Sequence, residues 1–188
     1  YWTVGRLIKW IFRLQPEGLE NLPRHGVLLC PNHASNWDPV LIGVCLPHNY
    51  HLRIMAKEAL FHNKALAWLI RKLGAFPVTR GTADIQSVKT AMQVIKDGQN
   101  LLIFPEGTTI RNGLGYVDGL PPHAHSGIAV IGVRSGATLV PVFADGPKKP
   151  FHKHRIIFGK PYTPVYTGRR GTSEEMQKIA DDILEEAY

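Results

Sequence analysis

The sequence predicts one α/β domain, a mixed, largely parallel sheet flanked by helices, with an amphipathic helix ahead of it. Three observations predict it. Short apolar runs alternate along the chain with segments of helical period, the pattern of strand and helix units in succession. Gly26 to Cys30 (GVLLC) and Asn100 to Phe104 (NLLIF) are unbroken apolar runs, which implies strands buried on both faces. At 188 residues the chain suits a single core, because two would each be small. Residues 1–15 are read as the N-terminal helix and 16–188 as the domain.

The elements run in this order. In Tyr1 to Leu14 (YWTVGRLIKWIFRL), Val4, Leu7, Ile8 and Ile11 keep helical spacing, and Trp2, Trp10, Phe12 and Leu14 widen the apolar arc. Its only charges are Arg6, Lys9 and Arg13, and Pro16 is the expected stop. GVLLC is a strand ending at Pro31, Val40 to Leu46 one or two helical turns, and His51 to Ala56 a strand. Ala59 to Leu73 reads as a helix with Arg71 and Lys72 near its end, before Gly74. Ala75 to Val78 is a brief strand. Asp84 to Lys96 is a helix, with Ile85, Val88, Met92 and Ile95 spaced by three and four and Gly98 beyond its end. After NLLIF come a helix at Gly127 to Val133 and strands at Leu139 to Phe143 and Arg155 to Phe158. Ser173 to Tyr188 closes as a helix, with Ser173 the expected cap and Glu174 and Glu175 in its first turn.

Composition narrows the function. Lys and Arg number 22 against 15 Asp and Glu, a net charge of +7, which favours anionic partners. The two cysteines, Cys30 and Cys45, sit in apolar runs and read as buried free thiols, which excludes a disulfide framework. No stretch reaches the ~18 apolar residues of a membrane span. Aromatic and aliphatic residues with basic and no acidic ones, as in residues 1–14, suit a helix lying in a membrane interface, and equally a core helix at the domain edge. His123 with His125 and His152 with His154 are weak as metal ligands without cysteine or carboxylate nearby, so no metal is expected. Lys148, Lys149, Lys153 and Arg155 have only Phe151 as an aromatic companion, too little for a nucleic-acid surface. Neither a phosphate-binding Walker segment nor a G-x-G-x-x-G run is present.

Polar segments cluster after predicted strands, where ligands of such sheets bind. His33 and Asp38 lie five apart in NHASNWD. A carboxylate there can fix the imidazole tautomer and leave the other nitrogen as a base, although the same residues also suit a plain turn. Lys57 comes directly after HLRIMA, and Thr79-Arg80 after AFPV. FPEGTTIRNG carries Glu106, Gly107, Thr108, Thr109 and Arg111. Gly107 lets backbone approach a ligand, while Arg80 and Arg111 offer forks and Lys57 a point charge for phosphate. No nucleophile elbow is present, so a catalytic His33 would activate a substrate hydroxyl.

In this order NHASNWDP, MAKEALF, GAFPVTRG, FPEGTTIRNG and LVPV span about Gly18 to Lys160. The set resembles the glycerophospholipid acyltransferases, and among them the 1-acylglycerol-3-phosphate (lysophosphatidic acid) acyltransferases. The resemblance implies an acyltransferase domain behind a membrane-docking helix. It implies His33 as general base for the free sn-2 hydroxyl of 1-acylglycerol 3-phosphate, Asp38 as its orienter, and Lys57, Arg80 and Arg111 as the phosphate clamp. Glu106 would shape that site, and Gly107 and Thr108 would line it. The co-substrate would be acyl-CoA or acyl carrier protein, with no cofactor and no metal, and the product phosphatidic acid. The partners would be anionic lipid and the membrane surface, with a peripheral or monotopic place on the cytoplasmic face of the cell membrane. Two departures bear on the acceptor. The family often has Arg where Thr109 stands, and Lys-Gly ahead of the helix where this chain has His123-Ala124-His125-Ser126-Gly127. Another acceptor, such as glycerol 3-phosphate or another lysophospholipid, is the first alternative, and a non-catalytic basic lipid-surface protein the second.

Overall fold

The computed structural model describes residues 2–78, 85–109 and 123–188. Among them a seven-stranded sheet runs through the molecule with helices on both faces. The strands are β1 (Leu14–Glu17), β2 (Val27–Pro31), β3 (Leu52–Lys57), β4 (Ala75–Val78), β5 (Asn100–Leu102), β6 (Thr138–Ala144) and β7 (His154–Phe158). The helices are α1 (Trp2–Ile11), α2 (Asp38–Cys45), α3 (Lys64–Lys72), α4 (Ile85–Lys96), α5 (Gly127–Ser135) and α6 (Ser173–Glu185). The sheet order is β1-β7-β6-β2-β5-β3-β4. From β6 to β4 every pairing is parallel, and β7 turns back antiparallel to β6, so the sheet is mixed and mostly parallel as predicted.

The unbroken apolar run in β2 is explained by its position. Val27, Leu28, Leu29 and Cys30 are all fully buried. Successive side chains point to opposite faces, so Val27 and Leu29 join Leu41, Ile42 and Cys45 of α2 and Phe12 after α1. Leu28 and Cys30 join Ala91 and Ile95 of α4, Ile128 of α5 and Ile179 and Ile183 of α6. Both thiols are free, as expected. Burial pushes the thiol of Cys30 up strongly and that of Cys45 up to about 12, so neither is a thiolate at neutral pH.

Several boundaries depart from expectation. α1 ends at Ile11 rather than Leu14, because Arg13 turns into the left-handed region (φ 42) and sends Leu14 into β1. Strand β1 went unpredicted. Its sequence, LQPE, has no apolar signature, and Pro16 is tolerated because β1 is an edge strand held only by β7. The segment read as one helix from Ala59 divides into a 3-10 turn, Glu58–Phe61, and α3, where the Asn63 side chain accepts the Leu66 N–H at 3.1 Å and restarts the helix. Strand β5 stops at Leu102, two residues short of the NLLIF run. The α6 cap is Thr172, not Ser173: its extended backbone lets the hydroxyl accept the Glu175 N–H, and the Glu175 carboxylate returns the bond to Thr172 N–H at 2.7 Å. At Gly74 the chain takes φ 87, and a Cβ there would overlap the Leu52 carbonyl, so this turn into β4 needs glycine.

α1 is apolar on two sides. Ile8 and Ile11 pack toward the core, whereas Val4, Leu7 and Trp10 are exposed at 58%, 54% and 67%. Phe151, 62% exposed, meets Trp10 edge-on at 5.9 Å and donates its N–H to the Ile11 carbonyl. No described helix is long and apolar enough to cross a membrane.

Candidate active site

Because β6, β2, β5, β3 and β4 are parallel, their carboxyl ends share one edge. The sheet order places β2 between β5 and β6, so the loops leaving these three strands meet at one point. Asn32, 2% exposed, locks the end of β2: its Nδ2 donates to the Ala144 carbonyl at 3.0 Å and its Oδ1 accepts the Ala144 N–H at 2.7 Å. His33 comes next, and the chain then enters α2 with Asp38 in the first turn and Pro39 behind it. A carboxylate suits that helix end.

The turn brings the predicted pair together. His33 Nδ1 lies 3.2 Å from Asp38 Oδ2, which also accepts the Ser35 N–H at 2.7 Å. Asp38 is fully buried, and the His33 side chain is 12% exposed. With Nδ1–H given to the carboxylate, Nε2 carries the lone pair, and 3.0 Å from it stands the Thr109 hydroxyl. The ring stacks on Phe104 at 3.9 Å with 24° between planes, which fixes its rotation. An imidazole so held has the geometry that general-base work needs, with an alcohol oxygen in reach of its free nitrogen.

Glu106 arrives from the loop after β5. It is 5% exposed, accepts the His33 backbone N–H at 3.0 Å on Oε2, and receives the Tyr188 hydroxyl on Oε1. Its carboxylate thus clamps the histidine backbone. Burial raises the Glu106 carboxyl above the usual range, opposed by hydrogen bonds from Tyr188 and His33. Burial likewise raises the Tyr188 phenol, with its bond to Glu106 adding to the effect. A carboxyl whose value is raised on folding holds more protons in the native state, so it lowers stability as pH climbs through the unfolded value of 4.5 and beyond. Glu106→Gln keeps an acceptor for His33 N–H and does not titrate. Its thermal midpoint is expected to fall less between pH 4.5 and 7 than that of the parent, at about 2–4 °C per kcal/mol for a chain of this size. Scanning fluorimetry across that range tests it, and parallel curves would count against the burial argument.

Gly107 sits at φ 64 with the His125 ring where a Cβ would go, and Thr108 beside it is exposed. Lys57 ends β3 on the same edge of the sheet, beyond β5, with its side chain exposed. Arg80 and Arg111 lie outside the described residues. The histidine pairs are otherwise engaged: His123 faces Asp181 at 3.2 Å, and buried His154 bonds Asp145 at 3.1 Å. Among the described residues no group of three or more metal-ligating side chains occurs.

Sequence reasoning missed two participants. Lys148, read only as one of a basic group with Lys149, Lys153 and Arg155, has a fully enclosed side chain whose Nζ is 3.4 Å from Asp38 Oδ1. The one available signal was its place just past the end of β6. Tyr188 gave no signal, because its partner is 82 residues away.

A parallel sheet that delivers an oriented histidine–aspartate pair to its carboxyl edge has the layout on which acid–base transfer chemistry can be built. A family model described as acyltransferase matches residues 13–145, and the chain belongs to that family. It is 34% identical over 149 residues to the 1-acyl-sn-glycerol-3-phosphate acyltransferase of Bacillus subtilis, covering 76% of this chain and 70% of that one. It is 28% identical to the protein of the same name from Streptococcus pneumoniae over 90% of this chain and 62% of the relative. The crystal structure of the 1-acyl-sn-glycerophosphate acyltransferase PlsC from Thermotoga maritima superposes with a TM-score of 0.69 at 23% identity, over 98% of this chain and 75% of that one, which is a likeness of fold.

Proposed function

We propose that this chain moves a fatty acyl group from a thioester, acyl-CoA or acyl carrier protein, to the sn-2 hydroxyl of 1-acylglycerol 3-phosphate, giving phosphatidic acid. The observation that carries the reading is the Thr109 hydroxyl 3.0 Å from His33 Nε2, because it occupies the place an acceptor alcohol would take. The relatives named for this activity support the choice of acceptor. His33 takes the hydroxyl proton as the oxygen attacks the thioester carbonyl, the tetrahedral adduct collapses, and the thiolate leaves with that proton. Asp38 steadies the imidazolium in between. The step uses side chains alone. Lys57, Arg80 and Arg111 hold the acceptor phosphate, with Gly107 and Thr108 lining the approach, while Glu106 fixes the histidine backbone. A cavity of ≈ 220 Å³ lined by Met55, Val78, Ile103, Phe104 and Ile128 adjoins Gly107 and suits part of an acyl chain. A larger cleft of ≈ 810 Å³ runs along α1, α2 and the start of β3, lined by Arg6, Lys9, Pro39, Val40, Leu52 and Gly74 among others.

Transfer to another acceptor is favoured by one observation, Thr109 in place of an arginine, which removes a fork from the phosphate side. The deciding experiment holds one acyl donor constant and offers 1-acylglycerol 3-phosphate, glycerol 3-phosphate, a lysophosphatidylcholine and a phosphate-free long-chain alcohol. Highest kcat/KM on the first supports the proposal, and preference for the alcohol would defeat the phosphate clamp.

The exposed Val4, Leu7 and Trp10 with neighbouring Phe151, flanked by Arg6 and Lys9, would dock on the cytoplasmic face of the membrane, where both substrates carry their chains. Each large apolar side chain is worth about 1.5–3 kcal/mol when fully buried. Trp10→Glu with Phe151→Glu is therefore expected to weaken co-sedimentation with anionic vesicles by about tenfold or more. Unchanged partition would remove this face from the docking role.

A further inference from the structure

Lys148 stands four residues past β6 with no solvent contact on its side chain. Its Nζ donates to the Gly146 carbonyl at 3.0 Å and to the Asp145 carbonyl, and pairs with Asp145 Oδ1 at 3.1 Å and Asp38 Oδ1 at 3.4 Å. A buried ammonium is tolerated only in such a cage. Asp145 is committed elsewhere as well: its Oδ2 accepts the Arg155 N–H at 2.9 Å and its Oδ1 the His154 Nδ1–H. His154 is fixed in turn, its Nε2 accepting the Lys149 N–H at 3.1 Å. Asp38 differs. Its Oδ2 is bonded to Ser35 and His33, but among the described residues its buried Oδ1 has no hydrogen bond and faces the Lys148 charge.

We propose that Lys148 is a positioning residue for acyl transfer: its enclosed ammonium, facing Asp38 Oδ1, holds the carboxylate rotated so that Oδ2 meets His33 Nδ1. This rests on the reading of His33 as the base. The geometry has a clear origin. Three adjacent parallel strands deliver three loops to one edge, and the post-β6 loop reaches the carboxylate from the side opposite Glu106. Because the side chain is enclosed, Lys148 touches no substrate, and its loss acts on turnover rather than on acceptor binding.

The pair also carries a pH signature. The groups facing His33 and Asp38 are Ser35 and Asn36 from their own loop and Glu106 and Thr109 from the post-β5 loop. Lys148 and Asp145 come from the post-β6 loop, with His154 of β7 behind Asp145 and Tyr188 behind Glu106. Lys148 is the described lysine in ion-pair contact with the pair. Taking away a cation 3.4 Å from Asp38 Oδ1 favours proton uptake by the pair, so the acid limb of the rate profile is expected to move.

The test uses the full chain with an acyl-CoA donor and 1-acylglycerol 3-phosphate in detergent micelles, with thermal unfolding as a folding control. Lys148→Met is expected to lower kcat by about 10- to 100-fold with the acceptor KM within about twofold. The acid limb of its kcat/KM profile should move to higher pH, and Lys148→Arg should recover part of kcat and return the limb. Should Lys148→Met fail to fold, Lys148→Met with Asp145→Asn removes the ammonium together with one of its two carboxylate partners and is read in the same way. Unchanged kcat with an unshifted limb would overturn the proposal, as would a loss confined to KM. Equal losses in the Met and Arg variants without a pH shift would reduce Lys148 to packing and also overturn it. His33→Ala is run alongside: if it keeps turnover, the base assignment fails, whereas its inactivity beside a normal Lys148→Met sinks the lysine alone.

Discussion

Replacing His33 with Ala is expected to lower kcat/KM by about 10²–10⁴-fold, the usual worth of a positioned general base, while the protein stays folded. Among the described residues no neighbour can take over. Glu106 is within reach of the His33 backbone, but its two oxygens are engaged by that N–H and by Tyr188, and it lies on the backbone side of the residue rather than at Nε2. Thr109 is an alcohol and cannot act as the base near neutral pH. The loss of stability should be modest, because Asp38 keeps Ser35 N–H and the Lys148 charge when the ring and its contact with Phe104 are removed. Thiol release from acyl-CoA, monitored with a thiol-reactive dye on purified protein of unchanged thermal midpoint, reads the effect. Turnover within about threefold of the parent would mean that the acceptor hydroxyl is deprotonated elsewhere.

Legibility in the sequence tracks separation along the chain. His33 and Asp38 are five residues apart on one strand-to-helix turn, so their meeting is local geometry and was legible. β2 and β5 were legible too, because burial on both faces leaves unbroken apolar runs. β1 was not, since its stability comes from β7, with Leu14 pairing to His154, and edge pairing leaves little composition signal. The role of Glu106 was half legible. Its motif marked it as a site residue, but nothing local shows that its carboxylate meets a backbone N–H 73 residues earlier. Lys148 is the sharpest case. In sequence it stands beside Lys149 and Pro150 in what reads as a solvated turn, and only the parallel pairing of β6 with β2 carries it onto Asp38. Arg80 and Arg111 keep their place as expectations for the phosphate side.

Asp38→Asn is the second large effect, and the hydrogen bonds around it give it a distinctive form. The substitution is isosteric, yet neither orientation of the amide satisfies its surroundings. With the amide oxygen in the Oδ2 position it can still accept from Ser35 and His33, but its NH₂ then faces the Lys148 ammonium, which loses a counter-ion inside the protein. With the NH₂ in that position, Ser35 N–H meets a donor, and His33 Nδ1 must accept, which moves the ring proton to Nε2 and removes the base. Turnover is expected to drop by about 10²–10⁴-fold. The thermal midpoint should drop as well, by the ~1–3 kcal/mol that a buried group left without its partner costs, a larger drop than that of His33→Ala, in which Asp38 keeps Ser35 N–H and the Lys148 charge. Combining the two substitutions separates a working pair from two independent contributors: the double variant should be no slower than His33→Ala alone, because an orienting carboxylate has nothing left to orient. A double variant slower by the product of both losses would show Asp38 acting on the reaction by a route other than the imidazole.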